Sequence, residues 1–592
     1  MENSETHSDL DRSINSSKQR ILVALTQLPF YVRALFVFAF LIFILSSFAL
    51  IIKWSNQYLT EVPRHGGTIV EGIIGRPRFI NPVIAKSDAD RDIATLLYSG
   101  LLRATPEGAL IPDLAESYSV SPDGLTYTFL MKKDLVWHDG EPITSADIAF
   151  TIDKVRDPGL AIKSPRRASW EGVGVETPDA TTVVFSIKQP YAPFLENATM
   201  GILPKHIWQN VPNEEFDVSY HNIEPIGSGP YRMGSIVRDE KKGLPSHYDL
   251  IAFKRSALGE PYITNLRIAF FGNNQELTQA YSDHTVDQIH GLEPAQGAAL
   301  AKQGAHITHV PLPRIFAVYF NQNQQPIFTD KAVRTALDLS LNKGRIVEEV
   351  LNGYGKTIDS PLPFFETTPT ISTSTSGHEK DIVDARNILE KAGWVQNAAN
   401  IYEKTDKKKK KVALLQFSIT MPDVPELRKA GELMKKDWEE VGASVTLKVF
   451  EPSTFSVEVL SPRKFDALFY GQINGRVPDP FAYWHSSQRN APGLNVALYA
   501  NKNVDKFLES ARKESDEANR TLLLNQFVDE VKDDIPAVFV YSPDFLYATG
   551  KNVRGIHTGL ITTESERFLD VMNWYIESER VWKWFAERMT RV

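Results

Sequence analysis

The longest hydrophobic stretch of the chain covers residues 34–52, ALFVFAFLIFILSSFALII. It carries no charge and only two polar residues, Ser46 and Ser47, and it is bounded by Arg33 and Lys53. As a helix rising ~1.5 Å per residue it is about 28 Å long, close to the thickness of a bilayer's hydrocarbon core. A helix that is apolar on every side over this length predicts a membrane span. Lys18, Arg20 and Arg33 precede it, and Lys53 stands alone just after it. The positive-inside rule therefore places the preceding residues in the cytoplasm and the following body outside. A cleaved signal peptide is the competing reading, with Ser47 and Ala49 as a small-x-small cleavage site. The run exceeds an ordinary signal core and a long polar segment precedes it, which favours an uncleaved anchor. Residues 1–18 are polar and are expected to be disordered. Residues 54–65 read as a short tether, and Gly66-Gly67 opens the folded body.

Beyond residue 65 the pattern alternates short β-rich runs with amphipathic helices, which predicts α/β lobes. Residues 68–71, Thr126–Met131 and 182–187 read as strands, the last two bounded by Pro122-Asp123-Gly124 and Pro178-Asp179 turns. Thr144 followed by Asp147 is a capping-box start for a helix that must end before Pro158. Residues 329–351 place Val333, Ala336, Leu337, Ser340 and Leu341 at helical spacing, with Gly353 as the stop. Residues 381–393 repeat that design. Pro425–Val441 predicts another amphipathic helix, and 442–450 the strand after it. The lysine run 407–411 lies between two β-like stretches and reads as a solvated hairpin tip. No repeat of 20–50 residues is visible.

At 592 residues the chain is too long for one core, so two or three lobes are expected. A net charge of −8 over this length leaves no nucleic-acid footprint. There is no cysteine, so disulfides, thiolate metal sites and cysteine nucleophiles are excluded. Enzyme motifs fail one by one. Gly353–Thr357, GYGKT, lacks the upstream glycine of a phosphate-binding loop, because Val350 stands there. Ser340 and Lys343 have acyl-transfer spacing but no partner motif. His378-Glu379 has no second histidine at zincin spacing, and the other histidines show no metal-ligand spacing. No Gly-x-Ser-x-Gly elbow is present. Asn197-Ala198-Thr199 is a glycosylation triplet of a kind that recurs by chance.

Several blocks then occur in a telling order. They are Asn81-Pro82, LYSGLLR (97–103), PDLAESY (112–118), DGLTYTF (123–129), HDGEPITSADI (138–148), IGSGPY (226–231), FTDKAVRTALDLSLNK (328–343), ARNILEKAGW (385–394), DPFAYWHSSQ (479–488) and DEVKDDIPAVFVY (529–541). In this order they resemble the large extracytoplasmic solute-binding proteins of the oligopeptide/dipeptide/nickel class (family 5), which serve ABC importers. The resemblance spans nearly all of residues 66–550. It implies an α/β, periplasmic-binding-protein-like bilobal fold, class II with an additional inserted domain, here preceded by one transmembrane helix.

The domain map that follows is a cytoplasmic tail (1–33), the anchor (34–52), a tether (53–65), a first lobe in two segments (66–110 and 226–310) around an inserted domain (111–225), a second lobe (311–528), and a return strand with a tail (529–592). The implied protein is no enzyme and needs no cofactor. It binds a peptide, or another small solute, between lobes that close by a hinge, and hands it to permease subunits. Sensing or chaperoning without transport is a further alternative. The tethering lipidated cysteine of many relatives is unavailable here, so an anchor must be protein.

The resemblance also implies cleft residues. Asn474, Arg476 and Asp479 belong to the region that lines the cleft, and Tyr319, Asn321, Trp484 and Tyr541 are further ligand-binding candidates, with His485 a weaker one. Peptide-binding relatives often hold the ligand's amino group with an acidic residue where this chain has Arg476. A cation there repels an amino group and suits a carboxylate. Three options stay open: Asp479 takes over, the ligand enters differently, or the ligand is not a free-amino-terminus peptide. A solvent-facing Arg476 on a rearranged loop is the bland alternative. The Trp-rich tail 564–592 either docks as a helix on the body or lies near the membrane surface.

Overall fold

The computed structural model describes residues 29–240, 243–363, 378–406 and 411–585. The chain divides into two compact units, residues 1–64 with 577–592, and residues 65–576.

In the first unit one helix runs Phe30–Tyr58. It contains the apolar run and passes it at both ends, since no glycine or proline interrupts the sequence between Pro29 and Pro63. Its side chains from Leu35 to Leu50 stand largely exposed. By length and composition Phe30–Leu50 suffices to cross a membrane. The expected tether is instead regular structure: helix to Tyr58, then the strand Leu59–Pro63. That strand pairs antiparallel with Ser578–Trp582, Leu59 opposite Trp582 and Pro63 opposite Ser578. Local pattern could not show this pairing, because the partner lies at the other end of the chain. In the tail, residues 564–573 form two 3-10 turns rather than a docked helix. The disordered tail expected over 1–18 lies outside the described residues.

The second unit is built on the strand Ala537–Thr549, whose AVFVY and FLYAT runs are buried on both faces. Its first part pairs with Arg314–Phe320, and that side of the sheet continues through Ala467–Ile473, Gln416–Pro422 and Ser444–Phe450. Its last part pairs with Gln288–His290 and His306–Pro311. That side continues through Thr68–Ile74, Asn265–Phe271, Pro245–Ala252 and Tyr231–Arg238. Pro543 stands where the strand passes from one side to the other. It has no N–H to donate, and its carbonyl accepts from the Leu312 amide at 3.0 Å. The two sides have separate hydrophobic cores. They are called here the first half (Thr68–Ile74 side) and the second half (Ala467–Ile473 side).

A separate four-stranded antiparallel sheet packs into the first half's core, in the order Ala115–Val120, Thr126–Met131, Thr182–Ser186, Gly174–Asp179. The expected helix beside it runs Ser145–Arg156. Its capping box is formed, with the Thr144 amide donating to the Asp147 carboxylate at 2.8 Å, worth about 1 kcal/mol.

The expected helices are largely present. Pro425–Val441 ends at Gly442 in the left-handed region, and His378–Lys391 ends before Gly393, φ +87°. The single helix expected over 329–351 is instead two, Lys331–Leu339 and Lys343–Leu351. Asn342 interrupts it by capping the second helix, its side chain accepting from the Arg345 amide at 3.0 Å. The strands Tyr402–Asp406 and Lys411–Leu414 pair antiparallel; of the lysine run 407–411 expected at the hairpin tip, Lys411 begins the second strand and 407–410 lie outside the described residues.

The IGSGPY block fastens two distant parts of the first half. A Cβ on Gly227 would lie 1.8 Å from the Leu97 carbonyl oxygen, and one on Gly229 2.6 Å from that of Leu96. Only glycine permits this approach. His138 seals it, its amide donating to the Gly227 carbonyl at 2.9 Å and its Nε2 bonding that of Gly229 at 3.1 Å. Burial pushes the imidazole down to about 4, so His138 is neutral and Nε2 is the donor.

Candidate functional site

The strand Ala467–Ile473 ends at a loop, 474–480, that faces the first half. Asn474 pins its start, the amide donating to the Pro313 carbonyl at 2.8 Å and Nδ2 to that of Pro361 at 3.3 Å. Arg476 then reaches across. Its guanidinium donates to the Leu560 carbonyl at 3.0 Å, to that of Thr105 at 3.4 Å and to Glu566 Oε2 at 2.7 Å. Only 2% of its side chain is exposed, so the solvent-facing alternative does not apply. The Arg476 amide also donates to Glu196 Oε1 at 3.3 Å. Burial raises the Glu196 pKa, against the amides of Arg476 and Val477 and the Arg476 charge, which stabilise the carboxylate. Glu566 is held in turn by the amide and hydroxyl of Thr562, at 2.6 and 2.9 Å.

Asp479, at the other end of the loop, accepts from Arg512 Nε at 2.9 Å and Nη2 at 2.6 Å, a two-pronged pair. Across the junction the Tyr191 hydroxyl donates to it at 3.2 Å, and the Ala192 amide donates to the Arg512 carbonyl at 2.9 Å. Burial, followed by the Asp479 charge, pushes the Tyr191 phenol up. The Arg512 guanidinium lies 4.0 Å over the Phe481 ring. Asn474, Arg476 and Asp479 thus share one loop that joins the two halves. Each charged member already has a protein partner.

The remaining predicted residues sit elsewhere. Tyr319 and Trp484 touch, ring centres 6.1 Å apart, inside the second half's core among Tyr499, Phe527 and Phe539. Tyr541 is fully buried and stacks on Phe316 at 5.0 Å. Asn321 is buried and closes a turn whose tip is exposed, donating to the Arg463 carbonyl at 3.0 Å and accepting from the Gln324 amide at 3.1 Å. His485 stacks on Phe481 at 4.0 Å. Sequence reasoning missed Tyr191, Glu196, Arg512 and Glu566. The only signal for them was that a buried Arg476 and Asp479 must each find an opposite charge.

Two other features bear on ligands. An open groove of about 1060 Å³ in the second half is lined by Gln325, Asp330, Trp394, Lys404, Phe417 and Lys448, and includes no residue of the 474–480 loop. His378, Asp437 and Glu440 offer ligand atoms within 4.8 Å of one another. Asp437 there already accepts from Arg345 and, at 2.9 Å, from the Asn342 amide, so a guanidinium fills the cation's place.

The family model for bacterial extracellular solute-binding proteins, family 5 (middle region), matches residues 109–494. The oligopeptide-binding protein AppA of Bacillus subtilis (strain 168) is 28% identical over 506 residues, covering 83% of this chain and 89% of AppA. The solved structure of that AppA with a nonapeptide superposes with a TM-score of 0.62 at 26% identity, covering 87% of this chain and all of that one. The ABC transporter substrate-binding protein CtaP of Listeria monocytogenes superposes with a TM-score of 0.72 at 24% identity, again over 87% of this chain and all of the other. The chain therefore belongs to the family 5 extracellular solute-binding proteins, which bind peptides or small solutes for ABC transporters and are not enzymes.

Proposed function

We propose that this chain is a membrane-anchored peptide receptor, held by an uncleaved N-terminal helix with the residues before it in the cytoplasm, which delivers its ligand to an ABC importer permease. In this reading the two halves are the lobes of a class II binding protein, and the four-stranded sheet within 111–225 is its inserted domain. The observation that carries the reading is the 474–480 loop. One short segment of the second half makes charged contacts to the first through Arg476 and accepts a hydrogen bond from it at Asp479. A ligand enclosed between the halves would lie against this loop, and its differential contact with open and closed forms would set the closure equilibrium. The nonapeptide complex of AppA supports a peptide as that ligand.

Asn474, Arg476 and Asp479 are the residues we place at the ligand. Tyr319, Asn321, Trp484 and Tyr541 support the walls from within the core. Arg476 favours a second reading, a carboxylate-bearing solute that displaces Glu566 from the guanidinium.

The test is to purify the protein, denature it and identify the released small molecules by mass spectrometry. A ladder of peptides is the expected result. A single non-peptide solute would overturn the peptide assignment while leaving the family intact.

A further inference from the structure

We propose that residues 582–585 form a second, interfacial membrane contact, held at the exit of the spanning helix by the strand pair 59–63 with 578–582. This inference rests on the anchor reading above.

The helix Phe30–Tyr58 has 29 residues, about 43 Å at 1.5 Å per residue. That equals a whole bilayer with both headgroup layers, about 40–45 Å, rather than the hydrocarbon core alone. Its ends carry exposed aromatic side chains, Phe30 and Tyr31 at one and Tyr58 at the other. Trp and Tyr collect at headgroup level because their rings are apolar and their N–H or O–H groups are polar.

The strand begins at Leu59, immediately after the helix, and Leu59 stands opposite Trp582. The pair is antiparallel, so the chain leaving Trp582 runs back toward the helix. Lys583, Trp584 and Phe585 are thereby brought to the level of its last turn. Trp582, Trp584 and Phe585 are 40%, 56% and 46% exposed, and the last two stack on each other at 3.8 Å. Three large exposed aromatic groups within four residues are costly in water. Beside a spanning helix they meet the layer that accommodates them, and the Lys583 ammonium meets lipid phosphates.

The chain lacks cysteine, so single-cysteine variants carry one nitroxide each. Full-length Phe585→Cys, Phe43→Cys (mid-helix) and Val218→Cys (exposed, on the other unit) would be reconstituted in phosphatidylethanolamine/phosphatidylglycerol vesicles. Their exposure to oxygen and to a water-soluble nickel chelate would be read by power-saturation EPR. We expect label 43 deep in the hydrocarbon and label 218 fully aqueous. Label 585 should be shielded from nickel several-fold relative to 218 yet open to oxygen, within about 5–10 Å of the headgroup boundary. Nickel access at 585 equal to that at 218, with 43 deep, would sink the proposal and leave the anchor standing. Shielding of 585 from both reagents would mean that a protein partner covers it, and would also sink it. An aqueous label 43 would remove the anchor reading itself.

Discussion

Two buried arginines of this protein do opposite things. Arg567 sits inside the first half with nothing of its side chain exposed, against Glu71 at 2.9 Å and Asp92 at 2.8 Å. The Tyr547 hydroxyl donates to Glu71 at 2.8 Å, and His290 joins Asp92 to Glu564, each at 3.1 Å. Arg567 and its partners Glu71 and Asp92 belong to the same half, and Arg314 of the second half reaches just the edge of the network, Glu564, at 3.9 Å. Arg476 is nearly as buried, but its partners Glu566, Leu560 and Thr105 lie across the junction between halves. Burial alone therefore does not distinguish a structural charge from one that a hinge motion would expose. The distinction lies in which rigid body carries the partners. On the proposed hinge reading an intra-half network is lost only on unfolding, whereas a cross-junction pair would be traded for water or ligand when the halves part.

The largest effect should come from Arg567→Met. It leaves Glu71 buried without a cation and Asp92 with His290 alone, and should cost about 3–5 kcal/mol, read as a lower denaturation midpoint. A midpoint close to that of the unaltered protein would mean that the network is not fixed within the first half.

The same network should give an alkaline instability. Burial and Arg567 pull the His290 pKa down, but Asp92 and Glu564 outweigh them and hold it at about 9, above its ordinary 6.5. A group raised on folding contributes stability that is full below the unfolded value and is lost as pH climbs through the folded one. The melting temperature should thus fall between about pH 7 and pH 9, and His290→Gln should flatten that slope. A slope unchanged in the variant would assign it to other groups.

Arg476→Ala should be milder for folding and stronger for closure. Losing a charge-assisted bond worth about 1.5–3 kcal/mol should shift the population toward the open form, seen as a larger radius of gyration in solution scattering. Stability loss as great as in Arg567→Met, without any opening, would erase the contrast. The smallest effect belongs to Tyr191→Phe, which removes one hydrogen bond to Asp479, about 1 kcal/mol, and should open the halves only slightly.

Much of the candidate site escaped the sequence for the reason that separates these arginines. Asn474, Arg476 and Asp479 were legible because they stand on one short loop beside a recognisable block. Their partners Glu196, Tyr191 and Glu566 come from remote segments, and nothing near them in sequence marks them. Tyr319, Trp484 and Tyr541 show the converse. An aromatic residue with a polar tip reads the same at a cleft wall and in a core, and only packing told them apart.

What the sequence determined by itself was whatever local chemistry dictates. The uninterrupted run 34–52 could only be an apolar helix. Thr144 with Asp147 started one helix, and Gly393 stopped another. The ordered blocks from Asn81 to Tyr541 declared the family. Tertiary structure alone decided where the strand Leu59–Pro63 finds its partner and that Arg476 closes on Glu566. Each of those depends on groups far apart in the chain meeting in space, and a pairing energy between distant residues leaves no periodicity for a linear reading to find.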